Sequence, residues 1–296
     1  MSAPPWLDRT AWPYAAHHVA VGGGRLHYVD EGAGPLVVLV HGTPTWSFEW
    51  RHVIAALRGH CRVVAVDHLG FGLSDRPADA GYRPEDHAAR FGAFMAAVCP
   101  DGPLTLVVHD FGGPIALDWA LDHPGRLAHV VVANSWMWPF DEDAGMRRKA
   151  RLASSALGRW LYRRVNASLR LIMPSAYGDR RRLTPAVHAH YLAVFPDAVG
   201  RERVLFALAR ALLGSSAFYA TLWRRRTRLA KTDLHFIWGM RDAAFPPALL
   251  GRWQQAFPQA RTTALAEAGH WPHEEAPEAF VQALAATVAA RATPGT

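Results

Sequence analysis

Thiols and lysines are scarce in this chain. Cys61 and Cys99 are its only 2 cysteines in 296 residues. They are too few for a disulfide framework and sit at no metal-ligand spacing, so a reducing, cytoplasmic setting is expected. No apolar run reaches the ~18–20 residues that a membrane span needs. The opening "MSAPPWLDRTAWPY" lacks the basic start and apolar stretch of a secretory signal. There is no internal repeat and no nucleic-acid motif. The net charge of +7 is carried by arginine, since lysine stands only at Lys149 and Lys231. The densest basic runs, "MRRKAR", "YGDRRRL" and "LWRRRTR", all lie between Gly145 and Arg228. Apolar residues separate them, so they read as solvated helix faces. Neither a nucleic acid nor a membrane is expected as a partner.

What the chain does have is a rhythm. "PLVVLVHG", "CRVVAVDHLGFGLSD", "PLTLVVHD" and "LAHVVVANS" are continuous apolar runs ending in glycine or polar residues. Such runs suit strands buried on both faces. Between them "SFEWRHVIAALRG", "PEDHAARFGAFMAAV" and "GGPIALDWALDHP" carry helical spacing. "HHVAVGGGRLHYVDEG" adds two strands around a glycine turn. The alternation predicts an α/β fold, a mostly parallel sheet with helices on both faces. From Pro139 to Ala230 no buried strand is expected, only Ala-, Arg- and Leu-rich helices. The rhythm returns with "TDLHFIWGMRD", "PPALLGRWQQAF", "RTTALAEAGHWPHEEAP" and "EAFVQALAATVAAR", and the tail "ATPGT" is expected to fray. The expected domains are therefore a core over 1–138 and 231–296, and a helical cap over 139–230.

In an open α/β sheet, ligands sit at the carboxyl ends of the strands. The endings "HG", "VD", "HD" and "ANS" gather polar residues there. In "VHDFGG" a strand meets a helix at a sharp turn, and Asp110 stands at its tip with Gly112 and Gly113 behind it. A strand-to-helix elbow projects its central side chain out of the sheet. A carboxylate there is ionised at pH 7 and needs no base for its first attack. It suits displacement at an sp³ carbon and leaves an ester on the enzyme. Clearing that ester needs water, a histidine and an acid to hold it. "AEAGHWPHEEAP" offers His270, with His273 as its competitor, and "WGMRDAAFP" offers Asp242. The order nucleophile, acid, histidine is the one this architecture imposes. Backbone N–H groups of Phe111 and Thr43 would meet the oxyanion. His41 and His109 are expected to make structural hydrogen bonds beneath the site, and Asp67 to order a loop. His17, His18, His123, His188 and His190 are expected on the surface.

With these residues in place the chain resembles the haloalkane dehalogenases of the α/β-hydrolase superfamily. The likeness runs from about Gly23 to Arg291, through "HGTPTWSFEWR", "VVAVDHLGFGLSDRP", "LTLVVHDFGGPIAL", "HYLAVFPD", "WGMRDAAFP" and "AGHWPHEE". The resemblance implies an α/β-hydrolase fold with an inserted helical cap. It makes Asp110 the nucleophile, Asp242 the acid and His270 the base. It implies small apolar halogenated substrates, water as co-substrate and no cofactor or metal. Other members place the acid after the preceding strand, where this chain has Asn134. Two positions depart from the pattern. The family usually carries Trp after the nucleophile, as an N–H donor to the departing halide, and Phe111 has no donor. Many members carry Asn after "HG", and here Thr43 stands. The expected halide and substrate residues are therefore Thr43, Phe111, Trp136, Trp138 and Tyr191.

Two alternatives stay open. An epoxide hydrolase uses the same aspartate with two cap tyrosines as acids, and Tyr191 with Tyr162, Tyr177 or Tyr219 could form such a pair. A non-catalytic, ligand-binding scaffold is the other.

Overall fold

A computed structural model describes residues 4–290; the tail "ATPGT" lies outside the described residues. Eight strands form one sheet in the order β1-β2-β4-β3-β5-β6-β7-β8. The strands are β1 (His17–Val21), β2 (Gly24–Glu31), β3 (Leu36–Val40), β4 (Arg62–Val66), β5 (Leu104–Asp110), β6 (Leu127–Ser135), β7 (Asp233–Gly239) and β8 (Arg261–Leu265). β2 pairs antiparallel with β1 and β4, and the remaining pairings are parallel. The apolar runs explain this. Every residue of β5 is buried, as a strand covered by helices on both faces requires. Truncating Leu106, which is fully buried, to alanine is expected to cost about 2–5 kcal/mol.

The connecting helices keep the expected places. Helix α1 (Arg51–Leu57) follows a short 3₁₀ turn at Ser47–Trp50. Helix α2 (Pro84–Val98) starts with proline in its first turn, and Asp86 accepts the Arg83 N–H at 2.9 Å. These features pre-set the entry geometry and satisfy an orphan donor. Helix α3 (Gly112–Asp122) leaves the end of β5 directly. A short helix at Pro272–Glu275, which the sequence did not reveal, follows the strand-and-loop run after β8.

Among the described residues no strand interrupts the chain between β6 and β7. This helical insert includes α4 (Ala144–Ser154), capped by Asp143, and α5 (Ala156–Trp160), capped by Ser155. Wide π-type turns at Leu161–Val165, Ser168–Ile172 and Arg201–Phe206 lie within its helices, and the backbone stays helical where they join the neighbouring α-helical turns. No single helix among the described residues is long and apolar enough to cross a membrane.

Candidate active site

Asp110 ends β5 with φ +48°, a conformation that non-glycine residues adopt only when their surroundings enforce it. The enforcement is visible in the two glycines behind it. A Cβ on Gly112 would come within 2.4 Å of the Val40 carbonyl oxygen, and one on Gly113 within 1.8 Å of Ser135 Oγ. The helix therefore packs against the sheet closer than any side chain permits. Ser135 Oγ also donates to the Asp110 carbonyl at 2.5 Å. The elbow is thus held from both strand neighbours, and the Asp110 carboxylate points out of the strand end.

Its two oxygens have different partners. Oδ1 accepts the Thr43 N–H at 2.8 Å. Oδ2 lies 3.5 Å from His270 Nε2. On the far side of that imidazole, Nδ1 donates to Asp242 Oδ2 at 2.7 Å. Asp242 is fixed in turn. Its Oδ1 accepts the Ala244 and Phe245 N–H groups at 2.6 and 2.9 Å, and its Oδ2 accepts Asn134 Nδ2 at 2.8 Å. The structure therefore brings Asp110, His270 and Asp242 together, from the ends of β5, β8 and β7. His273 does not join them; it stacks on Trp50 at 4.2 Å.

The electrostatics follow from this geometry. Burial alone would raise the Asp110 carboxyl. The hydrogen bond and charge of His270, with the charge of His109 and the Phe111 backbone N–H, hold it below the usual carboxylate range. Burial alone would lower His270. Asp242 and Asp110 on either side overcome it and push the imidazole up to about 10. Each charge thus favours the other: the carboxylates stabilise the protonated imidazole, and His270 stabilises the ionised Asp110.

The peptide units around His270 are clamped as well. Its carbonyl accepts His109 Nε2 at 2.7 Å, and its N–H donates to the Ala176 carbonyl of the insert at 2.9 Å. His109 Nδ1 meets Glu49 Oε1 at 3.1 Å. Glu49 is a buried carboxylate that the sequence does not single out, although an acidic residue between Phe48 and Trp50 was its signal. Glu49, His109 and His273 offer ligand atoms within 4.8 Å of one another. His109 Nε2 is committed to the His270 carbonyl, so the Nδ1 that faces Glu49 is its nitrogen in this cluster.

The expected halide residues separate into two groups. Phe111, buried, meets Trp136 edge-on at 4.8 Å between ring centres. Trp136 also contacts Phe245 at 4.9 Å and Tyr219 at 5.8 Å, and Phe245 contacts the His270 ring at 5.3 Å. Trp136 Nε1, Thr43 Oγ1 and the Tyr219 hydroxyl are buried without a hydrogen-bond partner among the described residues. Buried donors left unpaired cost stability, and these three belong to residues in contact with, or electrostatically coupled to, Asp110 or its neighbour Phe111. Burial raises Tyr162 and Tyr219, and the charge of Asp110 adds to both shifts.

Trp138 and Tyr191 stand elsewhere. Trp138 packs against Trp223 and Trp253 at 5.1 and 5.2 Å. Tyr191 and Tyr177 both donate to the Glu274 carboxylate, which also pairs with Arg51. That cluster ties the insert to the core and engages both hydroxyls. His190 is buried, contrary to the expected surface position. It stacks on Phe48 at 4.4 Å, and its Nε2 accepts the Asp8 N–H. Asp67 orders its loop as its position suggested, accepting the Ser47 and Leu73 N–H groups at 2.7 and 2.9 Å.

The sheet order, the elbow and the inserted helices define an α/β-hydrolase. A family model described as the alpha/beta hydrolase fold matches residues 35–277. The chain is 37% identical to haloalkane dehalogenase 2 of Mycobacterium tuberculosis, over 94% of this chain and 96% of that protein. It is 31% identical to a cis-3-alkyl-4-alkyloxetan-2-one decarboxylase of Xanthomonas campestris pv. campestris, over 89% and 92% of the two chains. Among solved structures it is similar to the haloalkane dehalogenase DatA of Agrobacterium tumefaciens C58, with TM-score 0.81, 26% identity and 93% and 96% of the chains covered. The chain belongs to the haloalkane dehalogenase family of α/β-hydrolases and is a haloalkane dehalogenase-like hydrolase.

Proposed function

We propose that the protein cleaves carbon–halogen bonds of small apolar haloalkanes through an ester on Asp110. The observation that carries this reading is the divided carboxylate: Oδ1 on the Thr43 N–H and Oδ2 facing His270. Oδ2 is the attacking atom. It forms a bond to the sp³ carbon as the carbon–halogen bond breaks, and the halide leaves with the electron pair. Oδ1 becomes the ester carbonyl oxygen, already on a backbone donor. Alkylation removes the negative charge of Asp110, one of the two charges that raise His270. The imidazole can then lose its proton and act as base. It draws a proton from water, which attacks the ester carbonyl carbon. The tetrahedral oxyanion sits on the Thr43 and Phe111 N–H groups. Collapse releases the alcohol and restores the carboxylate, and the net products are alcohol, halide and a proton. Asp242 holds the imidazole in orientation, and Asn134 holds Asp242.

Phe111 supplies no side-chain donor to the halide. The unpaired Trp136 Nε1 and Thr43 Oγ1 take that role in our reading, with the Tyr219 hydroxyl beside them. The insert, proposed as a cap over 139–230, closes the site with Tyr162 and Tyr219. Large, weakly solvated halides need the least help, so turnover should rank iodo- at or above bromo- and well above chloroalkanes.

Tyr219 also favours a second reading. A neutral tyrosine beside the nucleophile can protonate an oxygen leaving group, as an epoxide hydrolase requires. Tyr219 and Tyr162 are the candidates, in place of the Tyr191 and Tyr177 hydroxyls bound to Glu274. A pH-indicator screen of iodo-, bromo- and chloroalkanes beside epoxides and an oxetan-2-one separates the readings. Halide release without epoxide turnover supports the dehalogenase. Epoxide turnover without halide release overturns it.

A further inference from the structure

The insert and the core carry opposite charge. Of the 32 Lys and Arg residues, 18 lie in 139–230, with only 6 of the 25 Asp and Glu. The insert is therefore +12 and the rest of the chain −5. The bias is steepest at its start. From Ala144 to Gly178 the sequence has 8 basic residues and no acidic one. The same stretch concentrates exposed apolar surface. Among the described residues the exposed large hydrophobic side chains are Leu152, Leu157, Trp160, Leu171, Ile172 and Val199, all in the insert. Trp160 is 55% exposed and Leu152 61%. Helix α4 packs against α5, which runs on directly into Leu161–Val165, and the Val199 turn packs against that segment. The exposed Arg148, Arg151, Arg164 and Arg170 lie along the same stretch.

We propose that the exposed surface of the insert built around α4, α5 and the Val199 turn docks peripherally on an anionic lipid bilayer. Leucine, isoleucine and tryptophan would enter the headgroup boundary, and the arginines would meet lipid phosphates. Aliphatic side chains set among arginines are the composition of interfacial helices. Each basic residue near an anionic surface adds attraction that salt screens. Solvated helix faces, expected for these arginine runs from sequence, do not account for the exposed Leu and Trp. Nucleic acid would use the arginines but leave the aliphatic residues exposed to water. A second copy of the same face would bring two strongly positive surfaces together. The face makes peripheral contact only, in keeping with the absence of a spanning helix among the described residues.

The test is co-sedimentation of the full chain with vesicles, independent of catalytic activity. Vesicles of equal parts phosphatidylcholine and phosphatidylglycerol should carry the protein down at low salt and release it at high salt. Pure phosphatidylcholine vesicles should not bind it. Trp160→Ser with Leu157→Ser should weaken partitioning about tenfold or more. Each of Arg148→Gln, Arg151→Gln, Arg164→Gln and Arg170→Gln should weaken it about fivefold. All variants should keep the wild-type urea midpoint, since the substituted side chains are exposed. No binding to anionic vesicles, equal binding to neutral ones, or partitioning unchanged by the apolar variants would overturn the proposal. Retention on duplex DNA without vesicle binding would assign the face to nucleic acid. A concentration-dependent oligomer abolished by the apolar variants, without vesicle binding, would assign it to a second copy.

Discussion

The core and the insert solve different physical problems. The core spends its apolar residues on a sheet buried from both sides, and its polar residues collect where the strands stop. Asp110 is the last residue of β5, and Asp242 and His270 stand on the loops that leave β7 and β8. Their positions are fixed by backbone hydrogen bonds and by glycines that admit close packing. The insert has no such frame. Its helices carry wide π-type turns and are joined to the core by side-chain clusters such as Tyr177–Glu274–Tyr191. On the proposed mechanism the core would supply the reacting groups and the insert would control what reaches them. Tyr219, Tyr162 and the Ala176 carbonyl are its contributions at the site.

Substitutions in the core should therefore have far larger effects than those in the insert. Asp110→Asn should reduce turnover on the order of 10⁴-fold or more, because an amide is a poor nucleophile and the intermediate depends on it. Steady-state halide release measures this. Trp136→Phe should weaken halide affinity and lower turnover by about 10²–10³-fold, the usual effect of losing one positioned donor to a developing anion. Bromide quenching of tryptophan fluorescence reads the affinity. Unchanged quenching would move the cradle away from this residue.

A third prediction concerns protons. His270 is raised to about 10 by Asp242 and Asp110, so removing one charge should lower it. In Asp110→Asn the imidazole should titrate at least about one unit lower by NMR, since a single close charge commonly shifts a neighbour by one to three units. The sign also bears on stability. A histidine raised in the folded state contributes stability that is present below its unfolded value near ~6.5. That contribution is lost as pH rises through about 10. The smallest effect is expected at the seam. Tyr191→Phe removes one hydrogen bond to the Glu274 carboxylate, and should cost about 1.5–3 kcal/mol in urea unfolding. Turnover on small haloalkanes should stay near wild type. A large loss of turnover would mean that the seam positions the site as well as holding the insert.

The same contrast separates what sequence made legible from what it did not. The sheet, the elbow and the three residues at the strand ends could be read because apolar runs, glycines and chain order act locally. The insert could be located but not packed. "ANSWMWPF" offers two indoles, and only the fold decides that Trp136 meets Phe111 while Trp138 packs on Trp223 and Trp253. The periodicity around Tyr191 marks a helix but cannot show Glu274 arriving from 83 residues later. His190 looked like a surface residue because its partners, Phe48 and Asp8, come from distant segments. Glu49 was visible as an odd charge, but its meaning depends on His109 lying beneath it.

If an ester forms on Asp110 and His270 is needed only to clear it, removing the imidazole should separate the two steps. His270→Ala, mixed with excess bromoalkane and quenched, tests this by intact-mass and peptide-mapping spectrometry. The expected result is one alkyl adduct per chain, on the peptide that contains Asp110, with one bromide released per site and no further turnover. Repeated turnover in that variant, or an adduct on any other residue, would contradict it.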